Sequence, residues 1–280
     1  MILLIPNSQF LIPNIRRLKI KMAMIEDHKI TRYVKGKTEE EFDAVAKEFP
    51  LAIEVNGKGI AKLSCSPEKM KELAVGYLFA EGVIKSKADI TELKLEDTKV
   101  AIELKDELPE GMFKLEHKTV TSGCGKNVVY SDLDGADLER VEDESLKLSH
   151  EQIYSYVKEL AQSAVAFNQS GGVHSALLKD YTEPEKSLFC EDIGRHNAVD
   201  KIIGEMILNG YSLDNKILVV SGRVSSEIML KSARRKFPIL ISRSAPTTWS
   251  VQLAFRLGVT LIGFVRGKKM NVYTHPWRIE

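Results

Sequence analysis

Strand-like and helix-like segments alternate over the last third of this sequence, and the alternation limits the fold more than any other feature. After helical patterns at 150–167 and 196–208, it predicts strand 216–220, helix 225–236, strand 238–241, helix 247–257 and strand 259–264. Helices between strands of this length form crossovers, so we expect an α/β domain whose sheet has at least three strands.

A smaller α+β pattern precedes this domain. Apolar residues alternate over 51–64 around the turn Asn56-Gly57-Lys58-Gly59, which indicates a hairpin. A helix is expected to begin at Ser66-Pro67-Glu68 and to end before Gly82, followed by strands 90–95 and 100–104. An acidic loop at 106–110 then marks a boundary, which divides the chain into an extension (1–30), a small α+β domain (31–112) and an α/β domain (113–280).

Composition and cysteine usage indicate a cytoplasmic protein. The apolar start, 1–6, is too short for a signal peptide or a membrane span. Cys65, Cys124 and Cys190 are odd in number and form no C-x-x-C pair, which argues against disulfides and against a closed cysteine zinc site. We expect reduced thiols and neither a membrane nor a nucleic acid as partner.

Positive charge is concentrated near the C-terminus. Residues 221–280 contain eleven Lys and Arg against two Glu, a net charge of +9, although the whole chain carries only +1. Such a segment is either a solvated surface or a binding surface for an anion such as phosphate.

Three loops that follow predicted strands carry much of this charge: 221–226 with Arg223, 242–248 with Arg243, and 264–269 with Arg266. Because loops after parallel strands meet at one end of a sheet, these guanidinium groups are expected to converge on an anionic ligand. Ser225 and Thr247 have an alternative role as ordinary helix caps. The spacing matches neither a P-loop nor a dinucleotide-binding motif.

Two histidines lie in another group of polar residues. His174 belongs to Gly171-Gly172-Val173-His174-Ser175-Ala176, and Arg195 and His196 belong to the string EDIGRHNAVDK that begins at Glu191. Either histidine is as well explained by a structural role, with Asp192 or Asn197 helping to cap a helix. No P-C-x-x-C pair follows, so we do not predict a deaminase zinc site.

Cys124 lies in the stretch Thr121-Ser122-Gly123-Cys124-Gly125-Lys126-Asn127. The flanking glycines free the backbone, and Lys126 favours the thiolate, so this thiol is the candidate nucleophile. Cys65 and Cys190 are expected to be structural.

Taken together, these segments resemble the FdhD family of formate dehydrogenase accessory sulfurtransferases. The strings EDIGRHNAVDK and SGRVSSEIMLKSARR, together with 121–127, 171–176, 242–248 and 264–275, carry the resemblance from about residue 50 to the C-terminus. It implies a cytidine-deaminase-like three-layer α/β domain without the zinc site, a smaller N-terminal α+β domain, and a homodimer.

The resemblance also implies a function. Sulfur from a cysteine desulfurase would be carried as a Cys124 persulfide to the molybdenum (or tungsten) bis-molybdopterin guanine dinucleotide cofactor that the formate dehydrogenase apoprotein needs. Cys124 matches the first cysteine of the family's C-G-x-C-G loop, whereas the second position is Asn127, which puts a two-cysteine mechanism in doubt. The residues that match the family's cofactor-binding run are Phe264, Val265, Arg266, Gly267, Lys268 and Lys269.

Two alternatives remain open. The protein could be a non-catalytic chaperone that binds a guanine nucleotide or the cofactor, with Cys124 incidental. A metal-dependent deaminase relic is a weaker one, which stoichiometric zinc in the purified protein would support.

Overall fold

The computed structural model describes residues 24–108, 119–120, 138–142, 145–183, 186–212 and 216–280. These residues form a mixed α/β fold with sheets of two, five and six strands.

The six-stranded sheet comprises β8 (His174–Asp180), β9 (Leu188–Asp192), β10 (Lys216–Val220), β11 (Ile239–Ser242), β12 (Thr260–Arg266) and β13 (Lys269–Val272). Its order is β13-β12-β11-β10-β8-β9. Strands β10, β11 and β12 are parallel, whereas β8 is antiparallel to both β10 and β9. The carboxyl ends of β9, β10, β11 and β12 therefore share one edge, where β8 begins.

Helices cover both faces of this sheet. On one face lies α2 (His150–Ser163), with Leu177, Val219 and Ile241 beneath it. The other face packs against α4 (Arg195–Asn209), α5 (Ser226–Arg234) and α6 (Thr248–Arg256) through Leu178 and Leu218. Neighbouring residues of one strand thus enter different cores, as the two-residue period of a strand requires.

The five-stranded sheet has the order β5-β6-β3-β4-β7. Its strands are β3 (Phe49–Val55), β4 (Lys58–Cys65), β5 (Ile90–Glu96), β6 (Lys99–Leu104) and β7 (Thr119–Val120), and α1 (Met70–Ala80) follows β4. The short β7 pairs in parallel with β4, with Val120 beside Leu63.

Helices α1 and α4 join the two larger sheets, and glycines permit their close approach. A Cβ atom on Gly76 would lie 1.9 Å from the carbonyl oxygen of Asp200, and one on Gly204 would lie 1.8 Å from that of Glu72. Backbone thus meets backbone at this crossing, with no room for a methyl group. One hydrophobic core runs continuously from Leu51 and Ile53 to Leu218 and Leu240 across it.

The remaining sheet is a hairpin of β1 (Ile25–Val34) and β2 (Lys37–Ala46). Its base packs through Met24 and Ile25 against Ala166 of the short helix α3 (Val165–Ser170) and against Val173. The sequence did not predict this hairpin, and the proposed boundary at residue 30 falls inside β1.

Most predicted elements are present with bounds shifted by one or two residues, and strand 216–220 has its predicted limits. The prediction for Ser66 was wrong: α1 begins only at Met70, because Lys69 adopts a left-handed backbone conformation (φ 53°) that a right-handed helix cannot include, and the Ser66 amide donates to Asp192 at 2.9 Å. The single helix predicted at 150–167 is divided at Ala164, where the Glu191 carboxylate accepts the amides of Ala166 and Phe167.

Replacing Gly76 by Ala should destabilise the protein by at least about 2 kcal/mol, because the new methyl group overlaps the α4 backbone. Gly59→Ala is the matched control, since no atom lies within 4 Å of its Cβ position. Urea unfolding midpoints measure both effects. Equal midpoints for the two variants would show that the helix crossing is looser than described.

Candidate functional site

The carboxyl ends of β9, β10, β11 and β12 bring the predicted cationic loops together, as the sequence indicated. We call this the cationic edge, and its side chains are Arg195, Arg223, Arg243, Arg266, Lys268 and Lys269. All are exposed except Arg195 and Arg243, which are half-buried. Six positive groups at one edge of a sheet form a surface suited to a polyanion.

Backbone hydrogen bonds hold the three loops against one another. The Val224 amide donates to Ala245 O (3.1 Å), and the Phe264 amide donates to Ser244 O (3.1 Å). The Arg266 Nε group donates to Arg243 O at 3.2 Å, which fixes one guanidinium next to the other loop. The cations are therefore held by ordered backbone rather than by independent loops.

The residues of the run 264–269 differ in exposure, and Val265 is the buried one among them. Phe264, with a positive φ of 54°, is 39% exposed, and the Arg266 guanidinium lies 5.9 Å from its ring centre. Val265 is 1% exposed and packs beneath α2, so its side chain cannot reach a ligand. Gly267, with φ of 58°, makes the turn into β13 and leaves Lys268 and Lys269 exposed.

His174 lies at the same edge, where β8 begins. A Cβ atom on Gly222 would be 3.1 Å from His174 Nδ1 and 3.3 Å from Arg195 Cβ, so both side chains lie beside the Gly222 backbone. Burial is the main cause that lowers the pKa of His174, and Arg195 and Arg223 lower it further while Asp192 opposes them. A neutral imidazole thus lies among the guanidinium groups at neutral pH.

His196 lies in the first turn of α4 and contacts the start of α5. Its Nε2 atom is 3.1 Å from Ser225 Oγ and 3.1 Å from the Glu227 carboxylate. Ser225 also accepts the Ile228 amide, and Thr247 forms a capping box with Ser250. The structural alternative was therefore right for both hydroxyl groups, which act as helix caps.

Asp192 is the buried last residue of β9, and its carboxylate joins several segments beneath the cationic edge. Its carboxylate accepts the amides of Ser66 (2.9 Å) and Gly194 (2.8 Å) and the side-chain amide of Asn197 (2.8 Å). It also forms an ion pair with the buried Lys201 at 2.7 Å. Because buried charges require such partners, Asp192 fixes where α4 begins and ties the end of β4 to the cationic edge.

Sequence reasoning considered Asp192 only as a possible helix cap and missed its contact with Ser66. These residues are separated by 126 positions, and no local pattern signals the pairing.

The predicted nucleophile Cys124 and its neighbours Lys126 and Asn127 lie outside the described residues. The preceding strand β7 ends at Val120, beside Leu63 of β4. Since β7 and β4 are parallel, β7 points toward the end of β4 that hydrogen bonds to Asp192 and Asn197.

Cys65 and Cys190 are buried, in agreement with their predicted structural role. Burial raises the pKa of each thiol to about 12, with the nearby Asp192 adding to the effect at Cys65. The Cys190 sulfur lies 3.4 Å from Lys69 Nζ, which forms an ion pair with Glu205. The cation opposes the rise but does not overcome burial.

Comparison with known proteins places this chain in a family. The model of the FdhD/NarQ family matches residues 46–280. The chain belongs to the FdhD/NarQ family. It is 37% identical to the sulfur carrier protein FdhD of Bacillus subtilis over an alignment of 263 residues. This alignment covers 93% of this chain and 98% of that protein. It is 36% identical to the sulfur carrier protein FdhD of Staphylococcus haemolyticus, over 92% of this chain and 97% of the relative.

A solved structure agrees with this assignment. A protein described as a formate dehydrogenase accessory protein from Desulfotalea psychrophila superimposes with a TM-score of 0.75 at 28% identity. The match covers 92% of this chain and 100% of that one. Across the described part of this FdhD/NarQ chain, no helix is both long and apolar enough to cross a membrane.

Iodoacetamide at pH 8 should leave Cys65 and Cys190 unmodified in the folded protein, since a thiol of pKa about 12 is roughly one part in ten thousand thiolate there. Both should react in urea, which provides the control. Peptide mapping gives the result, and labelling of either thiol in the folded protein would contradict its assignment as a buried group.

Proposed function

We propose that this chain is a sulfur carrier that accepts sulfur on Cys124 and delivers it for the maturation of a formate dehydrogenase. The names of its relatives support the activity, and the arrangement of the cationic edge supports the chemistry.

The observation that carries the proposal is the direction of β7. Cys124 follows Val120 by four residues, so the two Cα atoms can be at most about 14 Å apart. Val120 itself pairs beside Leu63, three residues before Ser66, whose amide binds Asp192. The chain thus leaves β7 in the direction of the residue that contacts Asp192, and Asp192 lies three residues before Arg195.

The first step is an exchange between sulfur atoms. The Cys124 thiolate attacks the outer sulfur of a persulfide on a cysteine desulfurase, a new S–S bond forms on Cys124, and the desulfurase cysteine leaves as a thiolate. Lys126 and the cationic edge favour the attacking thiolate. Because Asn127 replaces the second loop cysteine, the relay uses one cysteine.

The recipient is treated as a substrate: the molybdenum or tungsten bis-molybdopterin guanine dinucleotide. Its phosphate groups match the chemistry of Arg223, Arg243, Arg266, Lys268 and Lys269, because guanidinium groups bind phosphate in a bidentate manner. In this proposal Arg195 adds positive charge, while His174 and His196 support the loops.

The finer features of the fold and setting belong to the same proposal. We interpret the larger sheet with helices on both faces as a cytidine-deaminase-like domain without zinc, and the five-stranded sheet with α1 as the smaller α+β domain. A cytoplasmic location suits a carrier that needs a reduced thiol. The homodimer remains a prediction.

A binding-only chaperone is the second candidate, because the cationic residues that would bind a nucleotide do not include Cys124. It differs from the carrier in one respect, because its thiol would gain no sulfur.

Incubation with a cysteine desulfurase and cysteine should add about 32 Da to the intact protein, the mass of one sulfur atom. The Cys124→Ala variant should lose this addition, whereas Cys190→Ala should keep it. Intact mass spectrometry measures both. Absence of the adduct in the unmodified chain would favour the binding-only alternative.

The Arg266→Ala variant should bind GDP about tenfold more weakly, because a charge-assisted hydrogen bond to phosphate is lost. Arg256→Ala is the control, since this exposed arginine ends α6 at the opposite edge of the sheet. Calorimetric titration gives the two dissociation constants, and equal weakening would count against a site at the cationic edge.

A further inference from the structure

The β1–β2 hairpin projects from the body next to the cationic edge. Its base packs against Val173, which precedes His174, and against Ile193, which follows Asp192. Away from the base, almost every residue of both strands is exposed or half-buried. Ten residues per strand correspond to an arm of about 30 Å.

A two-stranded hairpin of this kind is marginal in water, because it has no third strand and little packing to stabilise it. Within the described residues, β1 and β2 pair only with each other. Each strand therefore offers outward-facing amides and carbonyls to another extended segment.

The hairpin also exposes large apolar side chains. Tyr33 is 77% exposed and Phe42 is 71% exposed. Phe42 lies opposite Lys29 and Tyr33 opposite Thr38, so the register puts both aromatic rings on one face of the ribbon. Exposed aromatic residues on one face are typical of a protein-binding surface.

The negative charge of β2 favours a positively charged binding partner. This strand carries Lys37 and four acidic residues, Glu39, Glu40, Glu41 and Asp43. Cations on β1 partly compensate them, with Lys29 2.5 Å from Glu40 and Arg32 paired with Glu41, yet β2 remains net negative.

A second copy of β2 would be a poor antiparallel partner. Its acidic residues would face those of the first copy, and like charges directly opposite each other destabilise a strand pair. A basic segment has the complementary charge.

We propose that the β2 edge, with Phe42, receives an extended basic and apolar segment of the protein that donates sulfur to Cys124. This inference rests on the proposed function. The donor fits better than the phosphate-rich recipient because the acidic strand repels phosphate and attracts a basic polypeptide. The two partners would thus approach neighbouring surfaces of opposite charge.

Binding to a purified cysteine desulfurase of the same organism tests the proposal. The double variant Glu39→Lys/Phe42→Ala should bind it at least tenfold more weakly and accept sulfur correspondingly more slowly at low desulfurase concentration. The matched control is Glu103→Lys/Leu95→Ala, which changes an exposed acid and an exposed apolar residue on β6 and β5. Thermal unfolding of both variants verifies that they fold.

Glutathione persulfide separates this inference from the proposed function, because a small donor needs no docking surface. The hairpin variant should gain sulfur from it at the rate of the unmodified chain. If desulfurase binding is unchanged in the hairpin variant, the docking inference is overturned while the carrier function stands. Loss of a homodimer with unchanged desulfurase binding would assign the edge to a second copy and also overturn it. Failure of Cys124 to gain sulfur from either donor would instead refute the carrier function.

Discussion

The hydrogen bonds and the ion pair of the buried Asp192 carboxylate are the interactions on which the arrangement of the site depends. It lies at the end of β9, pairs with Lys201 of α4 and accepts the Ser66 amide at the end of β4. One side chain therefore determines where a helix of the larger sheet begins and where a strand of the other sheet ends. Removing Asp192 or Lys201 would leave the other charge buried without its partner, which is strongly destabilising. The hydrogen bond from Ser66 to Asp192 links the two sheets.

This link between the sheets places the end of β4 beside the start of α4, where Arg195 lies. The cationic loops all follow strands of the six-stranded sheet, whereas Cys124 follows β7 of the five-stranded sheet in the sequence. The crossing of α1 and α4 at Gly76 and Gly204 brings the sheets close enough for the Asp192 contact. A few small or buried residues thus set how closely the two sheets approach each other.

The two buried cysteines show how strongly burial affects a thiol. Cys65 and Cys190 lie near cations, Lys201 and Lys69 respectively, yet burial still raises the pKa of both thiols. A cation activates a cysteine only where water or a partner can also reach the sulfur. The surroundings of both buried cysteines therefore disfavour the thiolate form that sulfur transfer requires.

The sequence alone determined features that depend on neighbouring residues: the alternation of strands and helices after residue 216 and the cations that follow each parallel strand. It offered helix capping by Ser225 and Thr247 only as an alternative, which the structure then showed. Only the tertiary structure revealed β8, β9 and the β1–β2 hairpin, the late start of α1, and the meeting of Ser66 with Asp192. The physical reason is range. Periodicity and capping are encoded within a few residues, whereas a buried carboxylate takes its hydrogen-bond partners from segments more than a hundred residues apart, and only the folded chain brings these together.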